Sequence, residues 1–261
     1  MFISPPRNTF RYTFSWLILA ALFFVPILIW QIYDYRQTHQ VEPGLAFFTV
    51  ISGLFVAYAW WWTKTRVALH DEGISYKSPF GEKELRWDEI METRYGQQPM
   101  NAGAHFGLIG WLIAAMASSN NKMIRSFELV GPHKIAINSN IRDVEEVVRL
   151  ALGAVNPRLR QDAERILNSG GTVSFGKISL SPTGVIWKSK EPIPYNALMK
   201  CKIDGSMLRI KAEGKWLDNI AITAKKVPNI FVLLDLIEAK RSTMSGKTPP
   251  AMAGTSAHQY L

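Results

Sequence analysis

The chain has 261 residues, 48% of them hydrophobic, and a formal net charge of +9 from 30 basic and 21 acidic side chains. This length allows one or two domains. Cys201 is the only cysteine, so an internal disulfide is excluded and a reducing compartment is favoured.

Two long uncharged segments lie near the N-terminus. "TFSWLILAALFFVPILIWQIY" covers residues 13–33 and "GLAFFTVISGLFVAYAWWWT" covers residues 44–63. Each is a stretch of roughly 20 apolar-dominated residues, enough to cross a bilayer, and has aromatic rings at its end. Basic residues precede the first segment and follow the second, as is typical of cytoplasmic flanks. The two segments therefore predict a transmembrane hairpin with both termini in the cytoplasm.

The rest of the chain contains an internal repeat. "LHDEGISYKS" (69–78) matches "LSPTGVIWKS" (180–189), "LRWDEIMETRY" (85–95) matches "IPYNALMKCKI" (193–203), and "IAIN" (135–138) matches "IAIT" (220–223). Alternating apolar residues predict hairpins, in which Gly73 and Gly184 take a positive φ at the turn. An amphipathic helix follows the last match in each copy. The repeat predicts two units of short antiparallel strands, each closed by a helix.

These motifs resemble the bacterial pleckstrin-homology-like domain. The "EGISYKS…LRWDEI" run and the "VEEVVRLAL" helix carry the resemblance, which covers residues 66–153 well and 171–242 more loosely. It implies an α+β membrane protein of the bacterial inner membrane, in which a two-helix transmembrane hairpin precedes two curled antiparallel sheets with C-terminal helices. Such folds host lipid binding, peptide binding and scaffolding, so the resemblance identifies no activity.

The predicted organisation has five parts. An N-terminal tail and two transmembrane helices occupy residues 1–65, and the first pleckstrin-homology-like domain occupies 66–153. A helical linker (154–170), the second domain (171–242) and a disordered tail (243–261) follow.

The first copy carries an apolar insertion near residues 103–119. The offset between the copies falls from 108 to 85, so 23 extra residues lie within 96–134. The uncharged run from Phe106 to Ala117 would be about 18 Å long as a helix, too short for a core of about 30 Å. Three interpretations stay open: a segment that enters one leaflet or packs on the helices, one buried against the second copy, or a loop that docks on a partner. The candidate contact residues are Phe106, Leu108, Ile109, Trp111, Leu112 and Ile113.

The positive charge belongs to the second copy, since residues 171–247 carry 13 basic and 6 acidic side chains. Alternation within a strand predicts that Lys200 and Lys202 point to one face of their strand, and the same spacing applies to Arg209 and Lys211. A solvated face and a surface that contacts anionic lipid headgroups are both consistent with this charge. The candidate contact residues are Lys188, Lys190, Lys200, Lys202, Arg209, Lys211 and Lys215.

Motifs for catalysis are incomplete. Ile178 follows Gly176 and Lys177 where a nucleotide-binding loop needs serine or threonine, and the five histidines lack metal-ligand spacing. Asp88 and Glu89 are adjacent, so on a strand they would point to opposite faces. The sequence therefore favours a membrane-anchored scaffold or sensor that is not an enzyme. It predicts no cofactor and no nucleic acid. The expected partners are membrane lipids and either a membrane protein or a second copy of the chain. An accessory subunit of a larger complex and an enzyme subunit with a site between the copies are the alternatives.

Overall fold

The computed structural model describes residues 4–12, 15–38, 43–99, 123–188, 190–214 and 220–244. Within these ranges the chain is α+β, with four antiparallel sheets and four α-helices. The predicted α+β class and the antiparallel pairing are confirmed. The chain divides into two compact units, Met1–Glu84 with Asn140–Asp143, and Leu85–Ser139 with Val144–Leu261.

The first unit combines a four-stranded sheet with two helices. Its elements are β1 (Asn8–Arg11), α1 (Ser15–Thr38), α2 (Pro43–Trp62), β2 (Arg66–Leu69), β3 (Gly73–Ser78) and β4 (Gly81–Arg86), whose last two residues belong to the second unit. The sheet order is β1-β2-β3-β4. β1 pairs with β2 although both helices separate them in the chain. No local pattern links strands so far apart, so the sequence left β1 within the N-terminal tail.

The predicted transmembrane hairpin is corrected by the structure. Helices form at both positions, but none within the described residues is long and apolar enough to cross a membrane. Polar groups interrupt the apolar surface, since Thr49 of α2 hydrogen-bonds Gln31 of α1, and Asp34 and Arg36 lie in the last turns of α1. The predicted α+β membrane protein with a transmembrane helix pair near 13–33 and 44–63 is therefore wrong. The prediction of a bacterial inner membrane location with cytoplasmic termini, which rested on that helix pair, is wrong with it.

The second unit contains the other three sheets and two helices. The first half has β5 (Glu92–Pro99), β6 (Met123–Val130), β7 (Lys134–Asn138) and α3 (Val144–Asn168). A four-stranded sheet follows, formed by β8 (Val173–Phe175), β9 (Ile178–Ser181), β10 (Gly184–Trp187) and β11 (Ile193–Pro194). The last elements are β12 (Leu198–Asp204), β13 (Met207–Ala212), β14 (Ile220–Thr223) and α4 (Ile230–Met244). Short 3₁₀ turns span Trp87–Glu89, Tyr195–Ala197 and Ala224–Lys226.

The same order of elements occurs twice along the chain. We call β1–β7 with α3 the first series, and β8–β14 with α4 the second series. Each has a four-stranded sheet, then a three-stranded sheet, then a helix. The hairpins predicted around residues 69–78 and 180–189 form as β2–β3 and β9–β10. The finer domain boundaries stay predictions.

The glycines at the two hairpins act differently from the prediction. Gly73 and Gly184 begin strands and have no positive φ. Gly184 instead permits a close backbone approach, because a Cβ there would lie 2.2 Å from the carbonyl oxygen of Ile193. The absence of a side chain is therefore required by packing and not by turn geometry.

α3 is one helix where the sequence predicted a closing helix and a separate helical linker. It runs from Val144 to Asn168 and contains Pro157. Arg158, one residue further on, donates hydrogen bonds to the backbone carbonyls of Trp87 and Ile90. The side chain of Arg158 thereby ties the helix to the 3₁₀ turn before β5.

The core of the second unit comes from alternating strand residues and from α4. Ile135 and Ile137 of β7, and Leu208 and Ile210 of β13, are fully or almost fully buried. The rings of Tyr95 on β5 and Phe231 on α4 lie 5.3 Å apart, centroid to centroid. The two series therefore share a core within this unit.

Candidate binding surface

Four of the predicted basic residues come together on the hairpin β12–β13. Lys200 lies directly opposite Lys211, and Lys202 directly opposite Arg209. Residues that face each other across an antiparallel ladder project on the same side of the sheet. The sequence had separated these residues by strand; the register places all four on one surface, which we call the basic face.

One carboxylate partly neutralises the basic face. Asp204 lies 3.9 Å from Lys202 and 3.5 Å from Arg209, measured between charged atoms. Lys200 and Lys211 form no ion pair with the residues that the structure describes. The positive charge of the face is therefore concentrated at the end where these two lysines meet.

The other predicted contact residues do not join the basic face. Lys188 follows β10 in the other sheet of the second series, and its ammonium lies 5.2 Å from the ring centroid of Trp187. Lys190 lies in the loop beyond Lys188. Lys215 lies outside the described residues, as do the insertion residues Phe106, Leu108, Ile109, Trp111, Leu112 and Ile113.

The first series has an equivalent surface on the hairpin β5–β6. Glu92 faces Val130, and Arg94 faces Glu128. The repeat offset of 108 aligns Glu92 with Lys200 and Arg94 with Lys202, and the ladder registers then align Glu128 with Arg209 and Val130 with Lys211. We call these four positions of β5–β6 the closed face.

A segment of the second series packs on the closed face at Glu128. The ammonium of Lys225, in the 3₁₀ turn after β14, lies 2.9 Å from the carboxylate of Glu128. Lys134 pairs with the same carboxylate at 2.7 Å. Gly96, next along β5, lets the turn approach, since a Cβ there would lie 3.2 Å from the Cβ of Lys225 and 2.9 Å from the Oγ of Ser126.

Burial and charge act in opposite directions on Glu128. The side chain is 8% exposed, and burial alone would raise its pKa. Hydrogen bonds and charge from Lys134 and Lys225 outweigh burial, so the pKa of Glu128 lies below its usual value. Glu128 is therefore ionised at neutral pH and attracts both lysines.

Asn229 fastens the same segment to the edge of β5. Its side-chain oxygen accepts hydrogen bonds from the backbone N–H of Thr93 at 2.7 Å and from the Thr93 hydroxyl at 3.3 Å. Its side-chain amide donates to the carbonyl of Met91 at 3.1 Å, and its backbone N–H donates to the carbonyl of Thr93 at 2.8 Å. Asn229 has a φ of 51°, a conformation that asparagine tolerates better than most residues.

Sequence reasoning missed Glu128, Lys225 and Asn229. Glu128 was visible as a carboxylate on the alternating strand that leads to "IAIN", but its two lysine partners lie on other elements. The Pro228-Asn229 pair before α4 marked a helix start. Nothing local indicated that Asn229 would bond to a strand more than 100 residues earlier.

The groups considered for chemistry are held in structural roles. Asp88 and Glu89 lie in a 3₁₀ turn and not on a strand, and each accepts a hydrogen bond from Arg86. Burial raises the pKa of the Cys201 thiol to about 12, so the thiol is protonated and weakly nucleophilic at neutral pH. Among the described residues, no three histidine, cysteine or acidic side chains form a group that could hold a metal ion.

Comparison with known proteins yields one match. The model of DUF6585, a family of unknown function, matches residues 110–245, which is more than half of the chain. No curated protein and no solved structure matches the chain. The matched region contains most of the second unit, including the basic face and the segment that covers the closed face. The chain therefore belongs to the DUF6585 family.

Proposed function

We propose that the chain is a non-catalytic binding module and that its basic face binds a negatively charged partner. The observation that carries this proposal is the pairing of like charges, Lys200 with Lys211 and Lys202 with Arg209. Like charges directly opposite each other on a ladder destabilise it, by up to about 1 kcal/mol a pair. A negatively charged ligand removes this repulsion when it binds.

The test compares two charge reversals of equal size in the full chain. Lys200→Glu with Lys211→Glu alters the basic face, whereas Lys188→Glu with Lys190→Glu alters the connection between β10 and β11 by the same four charge units. The probes are an acidic peptide and vesicles that contain phosphatidylglycerol, each measured at two salt concentrations.

We expect the unaltered chain to bind at least one probe, more tightly at low salt. The basic-face variant loses at least about tenfold in affinity, and the control variant loses no more than about twofold. The proposal is wrong if the chain binds neither probe, or if the two variants lose equally.

We also propose that the second series has a pleckstrin-homology-like fold. The support is the order of a four-stranded sheet, a three-stranded sheet and a helix, found twice. An experimental structure of the full chain tests this for the second series. If its sheets β8–β11 and β12–β14 fail to enclose one core closed by α4, the fold proposal is wrong.

A further inference from the structure

We propose that the partner of the basic face is an acidic protein segment, bound across β12–β13 much as the segment from Lys225 to Asn229 is bound across β5–β6. This inference rests on the proposed function and names its partner.

The closed face shows how a protein segment binds to a hairpin of this kind within the chain. It is occupied by protein, through an ion pair on the face of the sheet and hydrogen bonds at its edge. Lys225 reaches Glu128 on the face, and Asn229 bonds the backbone of Thr93 at the edge. A docking segment therefore uses both the side chains of the ladder and the free edge of the first strand.

The second series presents the same two features, and no ion pair in the described part of the chain joins another segment to Lys200 or Lys211. β12 is an edge strand of the three-stranded sheet, as β5 is in the first series. Cys201 occupies the position of Thr93, and Met199 occupies the position of Met91. Within the described residues no strand pairs with the outer edge of β12. Met199 is 58% exposed at this edge.

The charge of the occupant follows from the reversal of sign between the faces. Glu128 receives a lysine on the closed face, and Arg209 stands at the equivalent position of the basic face. A bound segment must therefore carry carboxylates, opposite in sign to Lys225 of the segment that packs on the closed face. Carboxylates pair well with lysine and arginine in such contacts.

The two faces differ at their turn ends, which determines where the segment lies. Asp204 and Met207 replace Gly96 and Ser126, so a side chain occupies the place where the closed face has none. Lys200 and Lys211, at the opposite end, lack an ion pair in the described part of the chain. The acidic segment therefore crosses the hairpin at these two lysines. A lipid surface would contact the face but not the edge of β12, so the geometry favours a protein.

The experiment uses a peptide made from the covering segment of this chain. The probe is the sequence of residues 220–232 with Lys225→Glu and Lys226→Glu, and the control peptide keeps the native lysines. Both carry a fluorescent label, and binding to the full chain is followed by anisotropy at low salt. Vesicles that contain phosphatidylglycerol are measured in parallel.

We expect the acidic peptide to bind and the native-sequence peptide to bind at least about tenfold more weakly. Lys200→Glu with Lys211→Glu abolishes the difference, and Lys188→Glu with Lys190→Glu preserves it. If the chain binds vesicles in a basic-face-dependent manner but ignores the acidic peptide, this inference is wrong and the proposed function stands. If neither probe binds, both are wrong.

Discussion

The hairpins β5–β6 and β12–β13 occupy equivalent places in the two series, yet the charged side chains at their aligned positions differ in sign and in burial. On β5–β6, Glu128 is almost fully buried between Lys134 and Lys225. On β12–β13, Lys200 and Arg209 are exposed. The ladder register sets which way these side chains project, whereas their burial differs between the two hairpins.

The hairpins also end differently. β12 and β13 are joined by Gly205 and Ser206, with Gly205 at a φ of 57°. The ladder of β5 and β6 continues as far as Pro99 and Met123, and residues 100–122 connect the two strands. The insertion that the sequence located within 96–134 thus joins strand ends that lie side by side. A strand pair of the first series can therefore carry extra chain without losing its register.

The largest effect on the covered hairpin is expected from Asn229→Ala. The substitution leaves the backbone N–H of Thr93, a residue 2% exposed, without its partner and puts alanine at a positive φ. A buried unpaired group costs about 1–3 kcal/mol, and the left-handed conformation costs alanine about 1 kcal/mol more. Urea unfolding should show a loss of about 2–4 kcal/mol. Glycine adopts the positive φ without strain, so Asn229→Gly should lose about 1 kcal/mol less than Asn229→Ala. Equal losses in the two variants would contradict the assignment of about 1 kcal/mol to the backbone conformation.

Glu128→Gln should come next, with a loss of about 1–2 kcal/mol at pH 7, because two lysines lose their shared carboxylate. The pKa of Glu128 is lowered in the folded state, so its contribution is complete above the unfolded value of about 4.3 and is lost as the pH falls through the folded pKa. Unfolding measured between pH 7 and pH 3 should show the variant and the unaltered chain converging only in acid.

Glu92→Gln is the matched control for that experiment. Glu92 pairs with Arg94 on the same face, but its side chain is 35% exposed. Exposed pairs contribute little, so the expected change is below about 0.5 kcal/mol. A loss equal to that of Glu128→Gln would show that burial does not set the strength of these pairs.

Gly96→Ala should cost about 1 kcal/mol, because the new Cβ would lie 2.9 Å from the Oγ of Ser126 and 3.2 Å from the Cβ of Lys225. Gly153→Ala in α3 is the control of opposite sign. Nothing lies within 4 Å of a Cβ there, and alanine favours helix by up to about 1 kcal/mol. Thermal unfolding of both variants measures the contrast, and stabilisation by Gly96→Ala would mean that the covering segment can move aside freely.

The smallest effect should be a gain. Lys200→Glu replaces a pair of like charges, Lys200 with Lys211, by a pair of opposite charges. The folded state should become more stable by about 0.2–1 kcal/mol while anion binding weakens. Urea unfolding at low salt measures the gain, with Lys190→Glu as a control that should change stability less. A loss of stability would show that the two lysines do not repel each other in the folded chain.

Local patterns predicted the strands and the closing helices, because alternation and helical spacing need only neighbouring residues. The matched segments around Gly73 and Gly184 form hairpins, and the terminal helix of each copy appears where the apolar spacing places it. The same local alternation indicated which basic residues share a face within β12 and which share a face within β13. Their meeting on one face depends on register, which the alternation of each strand does not specify by itself.

Contacts between distant segments could not be predicted from the sequence. Glu128 and Lys225 meet because the turn after β14 packs on β5, and no spacing in the chain encodes that approach. The offset between the copies also reports only the net result of two length differences, one in the connection between the first two strands of the three-stranded sheet and one in the connection between the last two. The connection after β13 spans residues 213–219, whereas the equivalent connection after β6 spans residues 131–133, so the insertion in the first copy is longer than the net offset.

The compact units and the two series do not have the same boundaries. The sheet β1–β4 belongs mainly to the first unit, whereas β5–β7 of the same series belong to the second. The series that repeats along the chain is therefore not the same as a compact unit. A gene fragment that encodes only one copy would lack the contacts between Asn229 and Thr93, whichever copy it kept. The order of elements along the chain and the packing of the chain therefore follow different boundaries.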